Sequence, residues 1–129
     1  MKLFLLAALG GAFGAGARHL VNEAFAARGL TAFPWSTLTV NVVGSLLMGC
    51  VMAVVLSRDG LAPEVRTFLA TGILGGFTTF SAFSLDVWKL ATDGPDTAGL
   101  AAVAYVLASV VLSVGALVLG LWMTREVLA

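Results

Sequence analysis

Gly72-Ile73-Leu74-Gly75-Gly76-Phe77-Thr78-Thr79-Phe80-Ser81-Ala82-Phe83-Ser84 is the stretch on which the reading of this chain turns. It lies inside an apolar run, yet it holds two adjacent glycines and two adjacent β-branched threonines, residues that disfavour an uninterrupted helix. A break at membrane depth would free backbone carbonyls. In lipid such groups must be buried in protein, wetted or bound to an ion, and broken helices with exposed carbonyls are one way to hold Na⁺. The alternative is an intact helix whose glycines form a packing seam. Spacing alone leaves both open.

Outward from this stretch the chain is just as apolar. Of its 129 residues 60% are hydrophobic and 11% are charged, against about a quarter charged in soluble domains. So few charges cannot cover a soluble globule, and lipid is the solvent that tolerates the composition. A helical span needs about 20 apolar residues, and four such runs are present, over about 3–22, 33–57, 63–90 and 97–124. The expected fold is all-α: one membrane domain of four transmembrane helices with a break in the third. Short charged connections separate the spans, around Glu23 to Arg28, Arg58 to Arg66 and Asp86 to Asp96, and none has room for a soluble domain. Pro34 and Pro63 suit first helical turns. Trp35 and Trp122 suit the interface. Lys2 followed by an apolar stretch and the small residues Ala12 to Ala17 resembles a secretory leader, but three more apolar runs favour reading it as the first span.

Lys plus Arg equals Asp plus Glu, 7 against 7. That balance argues against nucleic acid, which is bound by neutralising phosphates. The lone Cys50 can make no intrachain disulfide. No nucleophile, base and acid form a catalytic set, so no enzymatic activity is expected.

The polar residues within the spans carry what chemistry there is. Phe80 and Phe83, three apart, share a helix face, with Ser81 and Ser84 interleaved. They are either packing rings or a lining whose positive ring edges face an anion. Asn41 sits mid-span, where a buried amide needs partners. Its NH₂ offers two donors, to a neighbouring helix or to a ligand. Tyr105, Ser109 and Ser113 recur every fourth residue as one polar stripe, though helical Ser often bonds its own chain four residues back. Arg18, with His19 at the expected end of helix one, is a vestibule charge or a snorkelling anchor. No acidic residue is expected in the middle of any span. That weakens proton coupling, and with it a small cationic-drug exporter that needs an embedded carboxylate. Donors and ring edges without a carboxylate suit a small, hard anion.

Pairs of small residues four apart, such as Gly10 and Gly14, Ser45 and Gly49, and Gly72 and Gly76, permit close helix approach. Four spans enclose little, so a pathway calls for more than one copy. Lys2, Arg58, Arg66 and Arg125 fall on one side of the membrane and Arg18, Arg28 and Lys89 on the other. A difference of one is too small to fix orientation, so insertion both ways is expected.

At these residues the chain resembles the Fluc/CrcB family of fluoride channels over nearly its whole length. The resemblance is carried by Gly10-Gly11 through Arg18, by Phe33-Pro34-Trp35-Ser36-Thr37 with Val40-Asn41 and Gly44-Ser45, and most specifically by Gly75 through Ser84. It implies a passive channel of the prokaryotic inner membrane that exports fluoride, built as an antiparallel homodimer with two pores. It further implies that the carbonyls of Gly75 and Thr78 hold a structural Na⁺ at the dimer interface, and that Asn41, Phe80 and Phe83, with Ser81, line the fluoride path. Tyr105, Ser109 and Ser113 then fall at the helix-four polar lining, and Arg18 at the family's arginine position. Ser36, Ala82, Asp86 and His19 depart from the family's usual residues, and Ala82 puts one polar contact in doubt.

Overall fold

The computed structural model describes residues 1–57, 60–92 and 98–129, and these form helices joined by short connections. Helix α1 is Lys2–Ala26 and α2 is Trp35–Val55. Helix α3 covers 63–77 in three pieces: α-helical Pro63–Arg66, π-helical Thr67–Leu74 and α-helical Gly75–Phe77. Helix α4 is Phe80–Thr92 and α5 is Ala98–Leu128. Lengths and composition fit four membrane crossings, with α3 and α4 as the two halves of the third. The shortest, α2, has 21 residues, about 31 Å of helix, which matches a hydrocarbon core of about 30 Å. Arg58, Asp96 and Thr97, which the sequence assigns to connections and to the start of the fourth span, lie outside the described residues.

Local chemistry sets the ends. Helix α1 does not stop at Arg18 and His19 but runs on to Ala26. It closes in a Schellman motif: Leu30 N–H donates to the Phe25 carbonyl and Gly29 N–H to that of Ala26. Gly29 takes φ +70°, where a Cβ would be strained. Pro63 opens α3 without wasting a donor. Glu64 in that first turn meets Lys2 at 3.0 Å, an exposed pair that solvent screens and that adds little to stability.

Few residues are buried within one chain: Val40, Ala53, Leu74, Ala102 and Tyr105 form most of the core. Large apolar side chains such as Phe4, Phe13, Leu107 and Trp122 point outward, as lipid solvent allows. Packing comes instead from close backbone contact. Helices α1 and α3 run parallel in one register, with Lys2 beside Glu64, Gly10 beside Gly72 and Gly14 beside Gly76. A Cβ on Gly10 would stand 2.6 Å from the Phe68 carbonyl oxygen, and one on Gly76 2.5 Å from that of Gly11. Helices α2 and α5 pair likewise, through Gly49 against Leu117 and Leu121 and Gly120 against Leu46 and Cys50. The small-residue spacing is thus used for backbone approach on both pairs.

This seam is testable. A methyl on Gly14 would meet the Ile73 carbonyl oxygen and the Phe77 nitrogen, both backbone, whereas one on Gly16 meets nothing within 4 Å. Gly14→Ala should cost about 1–3 kcal/mol as an overpacking change, read as a lower unfolding midpoint in detergent, while Gly16→Ala leaves it unchanged or raises it. Equal midpoints for both variants would show that the seam is not close-packed.

Candidate functional site

The third span is interrupted where its sequence is least helical. Thr78 leaves the helix with φ −76°, ψ 156°. Its N–H and Oγ1 both donate to the Leu74 carbonyl, at 3.0 and 2.9 Å, closing the first half. Thr79 opens the second half as N-cap: its Oγ1 accepts from Ala82 N–H at 3.2 Å. Between the caps, Asn41 of α2 pairs with the whole Thr79 peptide unit. Its Oδ1 accepts from Thr79 N–H at 2.8 Å, and its Nδ2 donates to the Thr79 carbonyl at 3.0 Å. The mid-span amide therefore does what a sheet neighbour would do.

These bonds redirect amides that a continuous helix would use elsewhere. The N–H of Thr79 would reach back to the Gly75 carbonyl, and that of Ala82 to the Thr78 carbonyl. Both are committed instead to side-chain oxygens. The Gly76 carbonyl receives Arg18 Nε at 3.3 Å. Arg18 is therefore drawn inward to the level of the break, not placed at a helix end. The carbonyls of Gly75 and Thr78 are uncharged, hard oxygen donors without their usual helical partners, a donor type that suits a hard cation.

Beside the break lies a groove of about 350 Å³, lined among others by Asn41, Thr78, Phe80, Phe83, Ser109 and Ser113. The Phe80 and Phe83 rings sit 5.5 Å apart at a 43° tilt. Phe80 is 79% exposed, so among the described residues little besides the Phe83 ring covers it. The hydroxyl oxygens of Ser109 and Ser113 are buried, and neither has a hydrogen-bond partner among the described residues. They do not bond back to their own helix, which was the plainer reading of the stripe. Buried hydroxyls without partners cost free energy unless a ligand or water meets them.

The remaining candidates stand around the groove. Tyr105 is fully buried behind it, with its ring 5.4 Å from that of Phe83. Its hydroxyl donates to Asp86 Oδ2 at 3.4 Å. Ser81 is exposed, its Oγ 3.4 Å from Thr79 Oγ1. Arg18 reaches the break from α1, while a Cβ on Gly75 would meet no other helix and would stand 3.6 Å from the Ala70 carbonyl oxygen of its own. Two participants went unread in the sequence. Asp86 stands at the edge between the expected third span, 63–90, and its following connection; α4 continues to Thr92 and holds it in the helix against Tyr105. Its place seven residues after Thr79, on a face shared with Phe83, was the available signal. Phe33 packs perpendicular to Tyr105, at 5.5 Å and 88°, a contact that no local spacing encodes.

Known proteins resemble this chain along most of its length. A family model described as "CrcB-like protein, Camphor Resistance (CrcB)" matches residues 5–121. A "Fluoride-specific ion channel FluC" of Chelativorans sp. (strain BNC1) is 54% identical over 129 residues, covering 99% of this chain and 100% of that protein. Proteins of the same name from Mesorhizobium japonicum and Hyphomonas neptunium are 50% and 48% identical, covering 95% and 100% of this chain and equal shares of their own. With the family model spanning most of its length and relatives near half identity end to end, the chain belongs to the CrcB family.

Proposed function

We propose that this chain is the protomer of a passive, fluoride-selective channel of the prokaryotic inner membrane that exports fluoride and so limits its toxicity. The observation that carries the reading is the groove at the break. Its lining offers an amide, two unpartnered buried hydroxyls and two phenyl rings, with no carboxylate. The relatives' name, fluoride-specific ion channel, points the same way. A small anion desolvated at this depth needs donors, which Ser109, Ser113 and the second Asn41 N–H supply. The ring edges of Phe80 and Phe83 add positive potential without fixed charge, so the ion is not held too tightly to leave. Ser81, Tyr105 and Arg18 act at the margins of the path, Arg18 by attracting the anion.

Hydrogen fluoride crosses bilayers neutral and ionises in a less acidic cytoplasm. A passive pore then lets the membrane potential expel the trapped anion, at about 2.3 kcal/mol per charge per 100 mV. No chemical step is involved. Liposomes holding the purified protein should release fluoride fast and chloride barely, and Phe80→Ile or Phe83→Ile should slow fluoride at least about tenfold, a loss of roughly 1.4 kcal/mol. Equal release of both anions would sink the selectivity, and full flux in both variants would return the rings to packing.

Two copies complete the pore. The 79% exposed Phe80 and the open groove call for a partner surface, and the loop charge bias is small. It is one by sequence, and two once Arg18 is counted as turned inward. In an antiparallel homodimer with a two-fold axis in the membrane plane, the two breaks meet. The Gly75 and Thr78 carbonyls of both copies would then hold a structural Na⁺, which supplies positive charge where carbonyl dipoles gather. A single-Cys reporter near a terminus, in a Cys50→Ala background, should label about half from outside whole cells with an impermeant thiol reagent, the outcome of weak charge bias. Labelling of nearly all or nearly none excludes the antiparallel pair. Replacing Na⁺ with N-methylglucamine should lower the dimer's unfolding midpoint; sodium at 100 times its Kd contributes about 2.7 kcal/mol. An unchanged midpoint removes the ion.

A further inference from the structure

The groove depends on Phe83, and Phe83 leans on Tyr105 at 5.4 Å. One of the groups that hold Tyr105 comes from the connection before α2. Trp35 N–H donates to the Phe33 carbonyl at 2.7 Å across Pro34, whose φ −76°, ψ 57° is that of an inverse γ-turn. The pyrrolidine ring presets this φ. The turn folds Phe33 back against Trp35, centroids 4.6 Å apart, and sets it perpendicular to Tyr105, at 5.5 Å and 88°. Edge-to-face contact is directional, because the positive edge seeks the negative face. Tyr105 is thus held by Phe33, by Phe83 and, through its hydroxyl, by Asp86. Trp35, 47% exposed, marks the membrane interface. The rings of Trp35, Phe33, Tyr105, Phe83 and Phe80 therefore run unbroken from the interface to the groove.

The geometry points to the Phe33-Pro34-Trp35 turn as a positioning device for the aromatic wall of the groove: Phe33 orients Tyr105, and Tyr105 orients Phe83. Phe33 is not among the groove-lining residues, so its effect on an ion passes through these rings. The inference rests on the fluoride-channel reading. It assigns to the connection between α1 and α2 a part in selectivity, beyond starting a helix.

The test compares fluoride and chloride efflux from proteoliposomes holding wild type, Phe33→Leu, Phe33→Tyr and Pro34→Ala, each normalised to folded protein by size exclusion. Phe33→Leu keeps bulk but loses the ring. It should slow fluoride by about tenfold, the scale of the directional part of an aromatic pair, and lower the fluoride-to-chloride ratio. Phe33→Tyr should restore both. Pro34→Ala should shift both the same way by a smaller factor, and it decides the matter if Phe33→Leu does not fold. A merely structural role would lower the unfolding midpoint and yield but leave flux per folded chain and the ratio at wild-type values, which would overturn the proposal. Wild-type protein that passes no fluoride would instead remove the channel reading on which it rests.

Discussion

A peptide group left without partners at bilayer depth costs several kcal/mol. The third span departs from regular α-helix at the π-helical Thr67–Leu74 and again at Thr78 and Thr79, so its shape depends on where those groups find partners. The decisive interaction is the two-fold hydrogen bonding of the Asn41 amide to the Thr79 peptide, 2.8 Å to the N–H and 3.0 Å to the carbonyl. With Thr79 satisfied from α2, the two half-helices can cap themselves independently, one through Thr78 onto Leu74 and the other through Thr79 onto Ala82. The Gly75 and Thr78 carbonyls are then released from helical bonding. The same amide forms one wall of the groove, so bracing and lining are done by one side chain.

The glycine seams serve this arrangement. Helix α1 lies backbone to backbone against α3 from Gly10 to Gly76, which brings Arg18 within 3.3 Å of the Gly76 carbonyl. A guanidinium at that depth is costly unless paired or able to reach water, and a carbonyl freed by the break is a suitable acceptor. On the other side, α2 and α5 approach through Gly49 and Gly120. That approach holds the Ser109 and Ser113 hydroxyls across the groove from Asn41. Gly44 meets the Thr78 methyl and the Phe77 ring, leaving no room for a side chain where α2 crosses the break.

Much of this was legible in the sequence because it is local. Apolar run length gave four spans, and the low helix propensity of Gly75-Gly76 and Thr78-Thr79 marked where a break could fall; it falls at Thr78 and Thr79, while Gly75–Phe77 stays helical. Four-residue spacing placed Ser109 and Ser113 on one face, and both line the groove. What stayed hidden depends on distant contacts. Arg18 and Asp86 look like loop charges by hydropathy, since the energy that tolerates them within helices comes from the Gly76 carbonyl and the Tyr105 hydroxyl. The π-helical turn at Thr67–Leu74 has no pattern of its own; such segments are rare and gather near functional sites. Phe33 reads as a helix-start residue until the fold sets it against Tyr105.

The pairing of Asn41 with Thr79 holds the break in place, and the proposed ion path depends on it. The most direct measurement is fluoride efflux per folded chain from liposomes holding Asn41→Leu, which keeps side-chain volume and removes both hydrogen bonds. The account predicts a drop of at least about a hundredfold, since the Thr79 N–H and carbonyl each lose a partner worth roughly 1–3 kcal/mol and the groove loses a donor. Fluoride efflux at the wild-type rate from Asn41→Leu would contradict it.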